Sequence, residues 1–530
     1  MTERVVRGVP ASPGVAIGPV VLLDGPREAG GDPEVALDTA AAELAAAAAR
    51  LRESGHVDEA EILDANRLMA LDPALRAEVR ALGVTLPPDQ ALLDATARHA
   101  ALLDALGDSA LAARADDVRA LGRRAVNALG GGGGFRLSEP AIVAAVDLGP
   151  AEVAELALDA DRLLGLALAR GAVTSHAAIM ARALGVPMVV GIGELVAADL
   201  ALVDGDAGTV VVDPGQDALA RGNASRARRV RAAAEAAATR ELPAVTRDGR
   251  AVRLLCNAAT AAEVAAGLEA GAEGVGLLRT ELAFLDAPRW PDEDEHAAAL
   301  APLLSLLGGR VATVRTLDFG ADKTPPFLAG IHERGIALLL AHEHALAAQL
   351  RAVLRVAGAA SLRVLLPLVE SPEQVRAVRA LLRGDSPPPI GAMIETPAGV
   401  ARVTEIALEA DFLSIGTNDL VQSTLGLDRE SPEASIAMAA HPDVLAGIRS
   451  VTRAAAAAGL TVEVCGEAAG DPEIAALFVA LGVDELSVAP TRLDDLRAAI
   501  RRLDTRDALL SDELREDGRE LVDRRGGVVA

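Results

Sequence analysis

The spacing of apolar residues along the sequence differs between two parts of the chain. Between residues 33 and 129 apolar positions recur at helical spacing, and the pattern predicts helices that include Pro33–Arg52, Asp58–Ala70 and Ala110–Leu129. Later in the chain, short apolar runs alternate with helical stretches instead. These eight runs are Val252–Asn257, Gly274–Leu278, Val311–Thr316, Arg363–Leu368, Ile390–Glu395, Asp411–Gly416, Thr461–Gly466 and Asp484–Val488. Eight strands that are each followed by a helix predict a (β/α)₈ barrel.

Strand-like and helical segments also flank the helix-rich region on both sides. The glycine run Gly130–Gly134 lacks the Lys-Ser/Thr of a phosphate-binding loop, and we interpret it as a flexible connector. We predict an α/β multidomain chain with the following parts: a small α/β domain of residues 1–23 and 140–216, a helical domain inserted at 24–139, a polar linker helix at 217–245 and the barrel at 246–530.

The segment Gly171–Gly191 carries the first candidate chemistry. It contains the helix-capping residues Thr174 and Ser175, then His176 at the start of a helix that Gly185 ends. A helix start favours a bound anion and disfavours imidazolium. A neutral histidine there is a nucleophile able to accept a phosphoryl group. The alternative is a histidine that only packs in the capping turn.

Polar residues collect where the predicted barrel strands end, which is the face on which barrel active sites are built. They are Asn257, Arg279, Arg315, Glu395, Asn418, Asp419 and Cys465. With Arg429 in the loop beyond Asp419, Arg279 and Arg315 predict a clamp of forked hydrogen bonds for a small, multiply anionic substrate.

Two carboxylates and a thiol complete the predicted site. Glu395 and Asp419 are hard oxygen ligands that suit Mg²⁺ held by few protein groups and by substrate. A metal beside arginines is suited to phosphoryl transfer. Cys465, which precedes Gly466, is a candidate proton donor, and a small buried strand residue is the alternative.

The amino-acid composition argues against some classes of binding partner and indicates the cellular compartment. Lys and Arg total 51 against 76 Asp and Glu, and the net charge of −25 argues against nucleic acid or an anionic membrane as a partner. We find no apolar run that could span a bilayer and no apolar signal-peptide core at the N-terminus. Cys256 and Cys465 are too few for a disulfide framework. We expect a soluble cytoplasmic protein.

Several motifs together carry a family resemblance over nearly the whole chain. They are GVPASPGVAIG, DEAEILDANRLMALDPAL, RADDVRALGRR, TSHAAIMARALGVP, GAEGVGLLRTELAFL, VRTLDFGADK, MIETPAG, FLSIGTNDLVQSTLGLDR and VCGEAAGDP. The chain thereby resembles Enzyme I of the bacterial sugar phosphotransferase system, the phosphoenolpyruvate–protein phosphotransferase family. The resemblance implies a swivelling phosphohistidine domain with an inserted helical bundle, followed by a barrel that binds phosphoenolpyruvate.

The resemblance also implies roles for individual residues. His176 would be the phosphohistidine, and Cys465 would protonate the enolate to give pyruvate. Phosphoenolpyruvate would be bound by Arg279, Arg315, Arg334, Asn418, Asp419 and Arg429, and Mg²⁺ by Glu395 and Asp419. The helical insert would dock the carrier protein HPr, and the barrel would form a homodimer. This phosphoryl transfer would be the first step of sugar uptake.

The chain departs from the family pattern in three places. The segment after Lys323 is shorter than in the family. Arg334 matches the first of two arginines that the family usually has, and Ala337 stands at the position of the second. Asn66 stands where the family often has histidine. Three other interpretations remain open. A pyruvate phosphate dikinase or phosphoenolpyruvate synthase needs a nucleotide-binding domain, for which the residues before His176 show no nucleotide loop. A nitrogen-regulatory paralogue and a non-catalytic regulatory protein are the other two.

Overall fold

The computed structural model describes residues 3–23, 31–53, 56–104, 109–129, 137–157, 162–173, 175–194, 197–285, 287–320, 324–328, 330–331, 333–382, 387–427, 436–506 and 522. The chain forms two compact units, unit 1 (Met1–Ala232) and unit 2 (Ala233–Ala530). No helix in the described ranges combines the length and the apolar character that a membrane crossing requires. The predicted connector Gly130–Gly134 lies outside the described residues.

The described strands of unit 1 form two sheets. These strands are β1 (Arg4–Arg7), β2 (Val9–Ser12), β3 (Val15–Gly18), β4 (Val20–Leu22), β5 (Ala141–Ala145), β6 (Leu163–Leu168), β7 (Met188–Val190), β8 (Ala201–Asp204) and β9 (Thr209–Val212). One sheet is antiparallel in the order β1-β9-β8-β3, and the other has the order β2-β7-β6-β5-β4. Each sheet therefore combines strands from before and after the helical segment.

The helices of unit 1 pack through small and aliphatic side chains. They are α1 (Pro33–Glu53), α2 (Val57–Ala70), α3 (Pro73–Leu82), α4 (Pro88–Asp104), α5 (Ser109–Leu129), α6 (Pro150–Ala157), α7 (His176–Ala183) and α8 (Gln216–Ala238), which runs across the boundary between the units. In α1, Leu37, Leu44 and Leu51 are buried at intervals of seven residues, so they line one face of the helix.

Unit 2 is built on a closed parallel barrel, which confirms the predicted fold class. Its eight described strands are β10 (Arg253–Ala258), β11 (Gly274–Leu278), β12 (Val311–Arg315), β13 (Ser361–Leu366), β14 (Ile390–Ile394), β15 (Phe412–Ile415), β16 (Val462–Val464) and β17 (Glu485–Val488). Every strand pairs with its sequence neighbour, and β10 pairs with β17 to close the ring. The predicted strands lie within two residues of these bounds.

Helices cover the outside of this barrel. They are α9 (Ala261–Glu269), α10 (Glu293–Ser305), α11 (Gly335–Ala341), α12 (Glu343–Val356), α13 (Pro372–Leu381), α14 (Pro397–Ala401), α15 (Val403–Ile406), α16 (Thr417–Leu425), α17 (Pro442–Ala458), α18 (Pro472–Leu481) and α19 (Leu493–Arg502). Capping boxes open three of them, with Thr260 and Glu263 at α9, Asp292 and Glu295 at α10, and Ser371 and Gln374 at α13.

Side chains alternate along each barrel strand between the covering helices and the interior. In β16, Val462 and Val464 join the large core under the helices. Cys465 instead joins a small interior cluster with Leu277, Leu365, Met393 and Phe412. Because successive side chains of a strand point to opposite faces, Glu463 shares the interior face with Cys465.

Candidate active site

His176 begins α7, as its sequence context predicts. Ser175 is the N-cap, and its Oγ accepts a hydrogen bond from the backbone N–H of Ala178 at 3.3 Å. Gly185 ends the helix region with a φ of +68°, in the left-handed region that glycine tolerates. Thr174 lies outside the described residues. The histidine is thereby fixed at the positive end of a short helix whose inner face is buried.

A carboxylate that the sequence analysis did not single out contacts this histidine. The Oδ2 atom of Asp117, in α5, lies 2.8 Å from Nδ1 of His176. Asp117 is buried, and the guanidinium of Arg114 lies 3.7 Å from the same oxygen. A proton on Nδ1 is donated to Asp117, and the lone pair of the ring is then on Nε2. Asp117 and His176 are 59 residues apart in the chain. In the sequence, the only indication of their contact is that Asp117 lies in the motif RADDVRALGRR.

An acidic pocket lies beside His176. Its lining includes Asp116, Asp117, Asp147 and Gly171. Arg123 compensates part of the negative charge, since its guanidinium lies 3.2 Å from the carboxylate of Asp147. The pocket suits a partner that presents positive charge more than it suits a free anion.

Unit 2 holds Arg315 at the end of β12 between two carboxylates. One terminal nitrogen of its guanidinium lies 2.6 Å from Glu281 Oε1, and the other lies 3.1 Å from Asp318 Oδ2. Burial by itself lowers the pKa of Arg315, but the charges of Glu281, Asp318 and Glu395 outweigh that effect, so the pKa is raised. Sequence reasoning missed Glu281 and Asp318, although both lie within three residues of a predicted strand end. They fix the orientation of the guanidinium.

Glu395 and Asp419 also lie at this face of the barrel. Glu395 follows β14, is buried, and accepts a hydrogen bond at 2.9 Å from the N–H of Leu368, whose φ of +53° is unusual for leucine. Asp419 lies in the first turn of α16, and Arg334 donates to its Oδ1 at 3.3 Å. Burial raises the pKa of Glu395, and the negative charges of Asp419 and Asp318 raise it further.

These carboxylates fit a hard divalent cation. Asp318 Oδ1 is buried and lacks a hydrogen-bond partner among the described residues, and the mutual repulsion of Glu395, Asp419 and Asp318 is relieved by positive charge. All the donors are oxygens, which Mg²⁺ prefers. Within the described ranges, no group of three or more His, Cys, Asp or Glu side chains is arranged to hold a metal. A cation here would therefore complete its coordination with substrate and water.

Cys465 lies directly after β16 and is 4% exposed. Its Sγ accepts a hydrogen bond from Ser414 Oγ at 3.5 Å. Burial first, and then the charge of Glu463, raise the pKa of the thiol to about 12, so the sulfur keeps its proton at neutral pH. The neighbouring backbone is held by Asn257, whose Nδ2 donates to the carbonyl of Cys465 at 3.1 Å and whose Oδ1 accepts from Ser487.

The remaining predicted residues are placed as follows. Arg279 follows β11, and its backbone N–H donates to the carbonyl of Ala258 at 2.9 Å. Asn418 lies in the first turn of α16 and accepts from the N–H of Glu467 at 3.2 Å. The structure therefore brings the described residues of the predicted site to one face of the barrel, at the C-terminal ends of its strands. We call this face the mouth of the barrel. Arg429 and Lys323 lie outside the described residues.

Three family descriptions match successive parts of the chain. Residues 7–114 match the N-terminal domain of the PEP-utilising enzymes, residues 137–210 match their mobile domain, and residues 233–505 match their PEP-binding domain. The third match alone covers more than half of the chain.

Several characterised proteins are similar to this chain. A multiphosphoryl transfer protein of Rhodobacter capsulatus is 37% identical over 94% of the chain, which spans 64% of that protein's length. Phosphoenolpyruvate-protein phosphotransferases of Streptomyces coelicolor and Haloferax volcanii are 37% and 35% identical. The alignment with the Streptomyces coelicolor protein covers 94% of this chain and 94% of that protein, and the alignment with the Haloferax volcanii protein covers 96% of each. The chain therefore belongs to the PEP-utilising enzymes, in the family of the phosphoenolpyruvate–protein phosphotransferases known as Enzyme I.

Proposed function

We propose that this chain transfers the phosphoryl group of phosphoenolpyruvate to His176 and then to a histidine of a carrier protein, releasing pyruvate. The observation that carries the proposal is the hydrogen bond between His176, at the start of α7, and the buried Asp117. It leaves Nε2 as the nucleophile, and the amide groups of the helix start favour the phosphoryl group that arrives.

Phosphoenolpyruvate is proposed to bind at the mouth of the barrel. Arg279, Arg315, Arg334 and Arg429 supply positive charge to its phosphate and carboxylate, and Asn418 supplies hydrogen bonds. The support for Arg315 is its fixed orientation between Glu281 and Asp318. A rigid fork loses little freedom when it binds an anion.

Glu395 and Asp419 are the proposed protein ligands of Mg²⁺, supported by their shared negative charge and by the orphaned oxygen of Asp318. When bound, the ion would neutralise charge on phosphate oxygens during transfer. The departures from the family pattern do not remove these ligands. Asn66 is buried in unit 1, and Arg334 contacts Asp419.

Bond changes in the proposed reaction balance within these groups. The lone pair of Nε2 forms a bond to phosphorus while the bond from phosphorus to the enol oxygen breaks. The leaving enolate takes the proton of the Cys465 thiol at its methylene carbon, which gives pyruvate and a thiolate. The support for Cys465 is its protonated state and its position at the mouth, after β16.

The proposed acceptor is an HPr-type carrier, and sugar uptake through the phosphotransferase system is the proposed role. The pocket of Asp116, Asp117 and Asp147 beside His176 supports a partner with positive charge at its own active site. Docking on α1–α5 and the predicted domain boundaries belong to this proposal. A homodimer through unit 2 and a cytoplasmic location belong to it as well, and these two rest on family membership.

The test is labelling with [³²P]phosphoenolpyruvate and Mg²⁺. We expect acid-labile, base-stable label on the unaltered chain and none on His176→Ala, because imidazole phosphate has that stability. His99→Ala, which alters a partly exposed histidine of α4, is the matched control and should be labelled normally. Acid-labile label on His176→Ala would reject the assignment. Absence of label on the unaltered chain would reject the proposed function.

A further inference from the structure

A buried glutamine connects the two chain segments that orient Arg315. Gln349 lies in α12, and its side chain is completely buried. The other buried residues of α12 are alanine, leucine and valine. A polar side chain among them is costly to bury unless its amide is hydrogen-bonded. Both the oxygen and the nitrogen of this amide have a partner, which offsets that cost.

The two partners of the amide belong to different segments. Its Oε1 accepts a hydrogen bond at 3.0 Å from the backbone N–H of Leu317, which follows β12. Its Nε2 donates at 3.0 Å to the Oγ1 of Thr280, which follows β11. The Thr280 hydroxyl donates its own proton at 3.0 Å to the carbonyl of Arg315. Because a backbone N–H can bond only the oxygen of the amide, the direction of every bond in this chain of three is fixed.

Both segments also carry a carboxylate that holds Arg315. Thr280 is followed by Glu281, and Leu317 is followed by Asp318. These two carboxylates lie 2.6 and 3.1 Å from opposite terminal nitrogens of the guanidinium. The buried amide therefore binds the residue next to each carboxylate. By doing so it sets the separation of the two groups between which the guanidinium lies.

The hydrogen bonds of the sheet do not reach this far. The last register pair of β11 and β12 is Leu278 with Val314, and Thr280 lies beyond it. From there on, the side chain of Thr280 takes the place of the strand ladder by binding the carbonyl of Arg315. The separation of the two segments thus depends on side-chain hydrogen bonds.

We propose that Gln349 is a positioning residue for the binding of phosphoenolpyruvate. It holds the segments after β11 and β12 at a fixed separation, which keeps the guanidinium of Arg315 in the orientation that binds the substrate. The inference rests on the proposed function, in which Arg315 binds phosphoenolpyruvate. Gln349 acts through Arg315 and does not touch the substrate. A guanidinium fixed beforehand loses less freedom when it binds an anion, so loss of the amide weakens binding although no charge is removed.

The experiment measures the binding of phosphoenolpyruvate to the full chain. The parent chain carries His176→Ala, so the proposed phosphoryl acceptor is missing and the substrate stays intact. Isothermal titration in the presence of Mg²⁺ gives Kd. Gln349→Met replaces the amide with an unbranched side chain of similar length and removes both hydrogen bonds. It should raise Kd by about fivefold or more.

Thr280 offers a second test that does not depend on the folding of the Gln349 variant. Thr280→Val removes the hydroxyl with little change of shape and should raise Kd by a similar factor. Thr280→Ser keeps the hydroxyl and should restore Kd to within about twofold of the parent value. Thr452→Val is the matched control, because Thr280 and Thr452 are each 5% exposed. The Thr452 hydroxyl bonds the carbonyl of Leu481 between two outer helices, and its loss should leave Kd unchanged.

A double variant separates positioning from a general structural effect. Arg315→Lys removes the fork that Gln349 is proposed to hold, so Gln349→Met should add less than about twofold to Kd in that background. If the two effects multiply instead, Gln349 acts independently of Arg315 and the inference is overturned. An unchanged Kd in both Gln349→Met and Thr280→Val would also overturn it. Absence of phosphoenolpyruvate binding to the parent chain, or an unchanged Kd in Arg315→Lys alone, would instead reject the proposed function on which the inference rests.

Discussion

The Nδ1 atom of His176 lies 2.8 Å from the Oδ2 atom of Asp117, although 59 residues separate them in the chain. The contact joins α5, between β4 and β5, to α7, between β6 and β7. It orients the imidazole ring and presents Nε2 as the free ring nitrogen. An acid that holds a catalytic histidine in this way acts on the rate of reaction more than on substrate binding.

Asp117→Asn should slow phosphorylation of His176 by phosphoenolpyruvate by about tenfold to a hundredfold, because the amide fixes the ring less well than the carboxylate. Binding of phosphoenolpyruvate to unit 2 should not change. Rapid-quench measurement of acid-labile phosphate gives the rate. Asp116→Asn is the matched control, since Asp116 pairs with Arg119 at 2.7 Å and should leave the rate within about twofold. Equal losses in the two variants would contradict the role of Asp117.

Both cysteines should resist alkylation in the folded chain. Burial raises the pKa of Cys256 and of Cys465 to about 12, so little reactive thiolate exists at pH 8. Iodoacetamide should therefore modify the native chain far more slowly than the urea-unfolded chain, as followed by mass spectrometry. Rapid modification of Cys465 in the native chain would show that the thiol is open to solvent and largely ionised.

Cys465→Ser should lower the rate of pyruvate formation by about a hundredfold with little change in KM, because a hydroxyl is a much weaker acid than a thiol. Cys256→Ala is the control, since Cys256 packs on the helix side of β10. Because the thiol pKa lies near 12, raising the pH from 7 to 9 should not remove the proton that Cys465 donates. Unaltered pyruvate formation in the serine variant would leave Cys465 a packing residue.

Arg315→Lys should raise KM for phosphoenolpyruvate by about tenfold or more, because a lysine cannot form the fixed fork between Glu281 and Asp318. Arg310→Lys, at the opposite end of β12, is the matched control. Trp290, the only tryptophan of a chain without tyrosine, lies 6.0 Å from the ring of Phe319 and offers a fluorescence signal for titration. Equal affinity in the two lysine variants would argue against substrate binding by Arg315.

Mg²⁺ should bind weakly to the free chain and more tightly when phosphoenolpyruvate is present, because two carboxylates leave most of its coordination to substrate and water. Isothermal titration with and without phosphoenolpyruvate measures the difference. Glu395→Gln should abolish the gain, and Glu405→Gln, on the outer helix α15, should retain it. Tight binding to the substrate-free chain would indicate a complete protein site instead.

A fragment of residues 1–240 should accept phosphate from phosphorylated HPr and none from phosphoenolpyruvate. It contains all of unit 1, with His176, Asp117 and α1–α5, and lacks Arg315, Glu395 and the rest of the barrel. Phosphate uptake is measured by the same acid-labile label, after circular dichroism has shown that the fragment is folded. Label from phosphoenolpyruvate, or failure of the folded fragment with phosphorylated HPr, would show that the proposed division of labour is wrong.

The sequence by itself was sufficient for features that depend on neighbouring residues. Apolar periodicity is a local property, and it predicted the eight barrel strands to within two residues of their bounds. Capping chemistry predicted the start of α7 at Ser175 and His176 for the same reason. The rule that barrel active sites form at the C-terminal ends of the strands also predicted that Arg315 and Glu395 lie at one face of the barrel.

Only the tertiary structure decided which distant side chains meet. Asp117 reaches His176 because α5 packs in the same unit as α7, and no local pattern encodes that distance. Glu463 lies inside an otherwise apolar run, and among the described residues its buried carboxylate has no hydrogen-bond partner, while Arg363 is bound to Glu485 on another strand. Such contacts depend on strand register and helix packing, which are set by the whole core rather than by neighbouring residues.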